Sequence, residues 1–111
     1  MVRPSMLLVG LLLAAGAAAH TGLTGSEPAA GASVPAPVTE LTLTFSDDVR
    51  LTAVALADTS GTAKALGTLP KDAAARFVIA VEEPLAPGQY TITWRAVGAD
   101  THVVSGKIAF S

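Results

Sequence analysis

Tyr90-Thr91-Ile92-Thr93-Trp94-Arg95-Ala96 alternates apolar and polar side chains without a break. A period of two puts Tyr90, Ile92, Trp94 and Ala96 on one face of an extended strand, with Thr91, Thr93 and Arg95 on the other. Trp94, central in that pattern, is expected to anchor a core. Upstream, Phe77, Ile79 and Val81 alternate in the same way, and so do Leu41, Leu43 and Phe45. Downstream, Val104, Ile108 and Phe110 share one parity, with Gly106 between them. Leu51–Ala57 is apolar without clean alternation and is taken as a further strand.

Breakers fill the spaces between these runs. Pro28, Gly31, Pro35 and Pro37 punctuate the first connection, and Asp58-Thr59-Ser60-Gly61 reads as a turn. Asp47-Asp48 reads as a solvated turn closing the Leu41–Phe45 strand. Pro84, Pro87 and Gly88 precede the Tyr90 strand. Lys71–Arg76 is the only helix-friendly stretch, and at most one turn. Short strands separated by Gly and Pro turns specify an all-β antiparallel sandwich or small barrel.

The chain has 111 residues, 7 Lys+Arg against 9 Asp+Glu, net charge −2, and no cysteine. That length suits one domain. The charge balance gives no basic patch for nucleic acid and no polybasic tract for a membrane surface. Without cysteine there is no disulfide, thiol catalysis, zinc finger or iron–sulfur ligation.

Residues 1–19 stand apart. Arg3 supplies a positive start, Met6–Ala19 is an uncharged apolar run, and Ala17-Ala18-Ala19 offers a small-residue cleavage site. The expectation is a cleaved secretory signal peptide over 1–19 and one mature domain over 20–111. Both methionines, Met1 and Met6, fall in the leader.

Cleavage would make His20 the first residue of the processed chain. Its free α-amine and imidazole Nδ1 could then close a six-membered chelate ring on one metal ion. The second histidine lies in Gly98-Ala99-Asp100-Thr101-His102. In an extended segment Asp100 and His102 would project to the same side. Two nitrogens from His20, one from His102 and an oxygen from Asp100 make a tetragonal set suited to Cu(II); nickel(II) and zinc(II) could use the same ligands, but copper(II) binds most tightly in the general divalent order. Cu(I) prefers sulfur, which the mature chain lacks. Other readings stand beside this one: a solvent-exposed terminus, a turn carboxylate beside a metal-free histidine, or His102 as a core-edge residue. The spacing alone does not bring His20 to His102.

Several segments, in order, resemble the CopC/PcoC family of copper-resistance proteins. They are His20 at the mature start, Ser26-Glu27-Pro28-Ala29-Ala30-Gly31, Leu41-Thr42-Leu43-Thr44-Phe45-Ser46, Leu85-Ala86-Pro87-Gly88-Gln89-Tyr90-Thr91-Ile92-Thr93-Trp94-Arg95, Asp100-Thr101-His102 and Gly106. The resemblance implies a Greek-key, immunoglobulin-like β-sandwich or barrel of about seven strands. It also implies a periplasmic Cu(II) carrier, not an enzyme, whose site is His20, Asp100 and His102. Members with a second, Cu(I) site carry a Met-rich segment, and nothing in Leu51–Lys71 resembles it. Asp47 stands where the family often has Glu near the copper, either as an outer carboxylate or as part of a solvated turn. The expected partner is the copper ion, in a monomer that binds no nucleic acid. A membrane copper importer of the CopD type would be a separate chain. Two alternatives from other classes are a histidine-brace copper oxidase and a metal-free immunoglobulin-like interaction module.

Overall fold

A computed structural model describes residues 22–111; the expected signal peptide, its cleavage point and His20 lie outside them. The described residues form six antiparallel strands: β1 Leu23–Glu27, β2 Glu40–Asp58, β3 Ala63–Lys64, β4 Ala74–Ala80, β5 Tyr90–Gly98 and β6 Val103–Phe110. The all-β class is as the alternation implies. The segments 41–45 and 51–57, expected as two strands, are one 19-residue strand, β2. Asp47-Asp48 is therefore no turn: both residues are exposed within β2. The pairing of β2 with β4 shifts between Thr44 and Val49, so the irregularity falls on this acidic pair. Lys71–Arg76 forms no helical turn, and Ala74–Arg76 begins β4.

The length of β2 builds the sandwich. Its first half lies between β1 and β4, and its second half pairs with β5, which pairs with β6. One strand thus serves both layers of a curled sheet. Leu41, Leu43 and Phe45 point inward from its first half, and Phe77 and Ile79 do so from β4. They meet Ile92, Trp94, Ile108 and Phe110 in a single core. Phe45 packs T-shaped with both Trp94, at 5.2 Å between ring centroids, and Phe77, at 6.0 Å. Edge-to-face pairs of this kind add to the burial of their area.

Two further contacts close the molecule. Gly31 N–H donates to Ala109 O, and Val34 N–H donates to Ser111 O, each at 2.7 Å, so the loop after β1 laces onto the end of β6. Tyr90 is 8% exposed and donates its hydroxyl to Ala86 O at 2.6 Å. A tyrosine bonded back to the chain a few residues upstream is a recurrent corner of immunoglobulin-like sandwiches.

Candidate metal centre

The hairpin joining β5 to β6 carries Asp100 and His102. Thr101 N–H donates to Gly98 O at 2.9 Å, and Gly98 N–H donates to His102 O at 3.0 Å. Thr101 takes φ 67°, the left-handed region that a β-branched residue seldom adopts. This is a three-residue hairpin loop ending in a left-handed residue. The Asp100 carboxylate stabilises it, with Oδ1 accepting from His102 N–H at 3.1 Å. Aspartate favours such turns because its side chain can accept from the backbone two residues on.

The other carboxylate oxygen completes the pair. Asp100 Oδ2 lies 2.7 Å from His102 Nδ1. The sequence-based reading brought the two together as same-side residues of an extended segment. They do meet, but through a turn closed by the carboxylate itself. The His102 side chain is 83% exposed, so it is not a core-edge residue. The hydrogen bond to His102, first from its ring and then from its backbone, holds Asp100 below the usual carboxylate range. The same bond raises the His102 pKa above its ordinary value, because Asp100 favours the charged ring.

Beside the hairpin, a shallow depression is lined by Ser46, Asp47, Asp48, Ala75, Ala99 and Asp100. Pairing of Val49 with Gly98 brings the middle of β2 to this end of β5. Three carboxylates and one imidazole therefore gather at one end of the sandwich. Among the described residues, no group of three or more His, Cys, Asp or Glu is arranged to hold a metal ion. Asp100 and His102 supply two donors, and His20 lies outside the described residues. A feature that sequence reasoning missed is Ser46, which bonds Gly22 by both backbone and side chain. That contact continues the β1–β2 pairing between residues 24 apart in sequence and leaves no local signature.

Comparison with known proteins agrees with this architecture. Residues 23–111 match the CopC domain model. A copper resistance protein C of Pseudomonas syringae pv. tomato is 31% identical over 119 aligned positions, taking in 96% of this chain and 90% of the relative. Protein YobA of Escherichia coli K12 is 32% identical, over 84% of this chain and 78% of the relative. Among solved structures, Escherichia coli PcoC, described as a methionine-rich copper resistance protein, superposes with a TM-score of 0.69 at 34% identity. The match covers 83% of this chain and 97% of PcoC. CopC of Methylosinus trichosporium OB3b, at 24% identity and TM-score 0.69, shares the fold over 82% of this chain and 91% of its own. With its two-layer β fold, its Asp100–His102 hairpin and these relatives, the chain belongs to the CopC family of copper-resistance proteins.

Proposed function

We propose that the processed chain is a periplasmic Cu(II)-binding protein that sequesters or carries one copper ion without turnover. Its ligands are the α-amine and imidazole of His20, with Asp100 and His102. The observation that carries this reading is the 2.7 Å approach of Asp100 Oδ2 to His102 Nδ1. Two ligands on bonds of about 2.0 Å at right angles stand about 2.8 Å apart, so the pair already has the spacing of neighbouring ligands in a tetragonal plane. A neutral His102 ring can shift its proton to Nε2 and offer the Nδ1 lone pair to the metal. The Asp100 carboxylate, ionised down to low pH, offsets one positive charge of the ion.

The anchoring of the chain just after His20 supports this reading. Gly22, two residues after His20, is bonded to Ser46, and Ser46 lines the same depression as Asp100. Two extended residues span at most about 7 Å. The oxidation state follows from the donors. Cysteine is absent and both methionines precede His20, so nitrogen and oxygen are all the mature chain offers, which favours Cu(II).

The test is competition for Cu(II) against a chelator of known affinity, using residues 20–111 with an authentic His20 terminus and the same chain with a methionine ahead of His20. The added residue turns the amine into an amide and should weaken binding by at least about tenfold, the equivalent of roughly 1.4 kcal/mol. Equal affinity of the two chains would overturn the ligand set.

A further inference from the structure

The geometry points to Ser46 as a positioning residue for copper: it clamps the chain at Gly22, two residues after His20, on the depression that Asp100 lines. This inference rests on the copper reading above. Gly22 N–H donates to Ser46 Oγ at 3.1 Å, and Ser46 N–H donates to Gly22 O at 2.9 Å. One serine thus grips both polar groups of a single peptide residue.

The clamp has a rigid base. Ser46 follows Phe45, which is 3% exposed and wedged against Trp94 and Phe77. The Ser46 backbone is therefore fixed by the core, while its hydroxyl faces outward. Beyond the clamp, β1 is lightly held. Its register on β2 shifts between Leu23 and Gly25, and Leu23–Phe45 is the one regular pair before that irregularity. Gly22 itself carries no side chain with which to pack. The serine hydroxyl is what adds a second bond at this point.

The position of the clamp gives it a consequence for the metal. Ser46 and Asp100 line one depression, so the anchor for the chain after His20 and the proposed carboxylate ligand border the same opening. Holding Gly22 fixes the point from which the two preceding residues extend, a reach of at most about 7 Å. That raises the effective concentration of the His20 donors at Asp100 and His102, with no contact between Ser46 and the metal. Losing the hydroxyl leaves the backbone bond, returns Gly22 N–H to water and widens the volume that the terminus explores. The contact is exposed and at the end of an edge strand, so global stability should barely register its loss.

The experiment is a cycle of four proteins: residues 20–111 with Ser46 or Ser46→Ala, each with a free His20 amine or with methionine ahead of His20. Cu(II) affinity is read by chelator competition, ligand identity by EPR, and folding by thermal melting. With the free amine, Ser46→Ala should weaken Cu(II) binding about three- to tenfold, the range expected for one net hydrogen bond. The EPR spectrum and the melting temperature should not change. With methionine in front, Ser46→Ala should change nothing, because the terminus no longer ligates. Ser46→Thr, which keeps the hydroxyl, should restore affinity to within about twofold of the native chain. An equal loss in both backgrounds, or no loss in either, would overturn the clamp. Should the added methionine itself leave affinity unchanged, the ligand role of His20 fails first, and the clamp with it.

Discussion

Gly106→Ala should destabilise the fold by about 2 kcal/mol, within the 1–3 kcal/mol typical of overpacking a filled core. Gly106 of β6 pairs directly with Trp94 of β5. A Cβ at this position would sit 2.9 Å from Trp94 Cζ2 and 3.0 Å from Cε2 and Nε1. Such distances require the indole to move. It has little freedom to do so, because Trp94 is 6% exposed and Phe45 abuts it at 5.2 Å. Glycine at 106 is thus a consequence of tryptophan at 94. For a domain of this size each kcal/mol is worth about 4–8 °C, so the melting temperature should fall by roughly 8–16 °C. Urea unfolding followed by tryptophan fluorescence measures the effect, with an unchanged slope and an earlier midpoint. A loss below about 0.5 kcal/mol, the level of an ordinary surface change, would refute the close packing of Trp94 on β6.

Other predictions concern the hairpin and the corner. Asp100→Asn removes the carboxylate that raises the His102 pKa, so the ring should titrate closer to the ordinary 6.5; an NMR titration in which it stays put would contradict the pairing. With His102 as a copper ligand, as proposed, protons should compete with the metal there from above pH 6.5 downward, because the raised pKa keeps the ring charged longer. Affinity should therefore fall steeply as pH drops through that region, while Asp100, with its lowered pKa, remains ionised. A binding curve flat from pH 7.5 to about 5.5 would exclude imidazole ligands. Tyr90→Phe removes the 2.6 Å bond to Ala86 O and should cost about 1–2 kcal/mol in urea unfolding; a change near zero would mean that the corner contributes no net stability. Thr101→Gly relieves a left-handed β-branched residue and should leave copper affinity intact while raising stability by up to about 1 kcal/mol. Loss of affinity in that variant would show that threonine itself shapes the hairpin.

Much of this was legible in the chain, and the rest was hidden for identifiable reasons. β5 was readable because Tyr90, Ile92, Trp94 and Ala96 face a core while Thr93 and Arg95 face water, the situation in which period two is clean. β2 was not readable as one strand. Where it passes from one layer to the other, its exposed residues are Ser46, Asp47 and Asp48, and that composition is also a turn's. β1 is a partly exposed edge strand, Leu23–Glu27, with no alternation to find. Asp100 and His102 were found as a pair from their spacing. Their meeting depends on a turn with Thr101 at positive φ, which a β-branched residue does not advertise. The Ser46–Gly22 clamp joins residues 24 apart, and only the folded sheet brings them together.

In the proposed arrangement one Cu(II) is held jointly by the terminus and the hairpin. The most direct measurement is the EPR spectrum of residues 20–111 at one equivalent of Cu(II), compared with His102→Ala. The expected result is a single tetragonal signal with nitrogen hyperfine structure, saturating at one copper, which changes in His102→Ala as one nitrogen is lost. An identical spectrum in His102→Ala, matching a short peptide with histidine at its terminus, would show that the hairpin takes no part and would contradict the account.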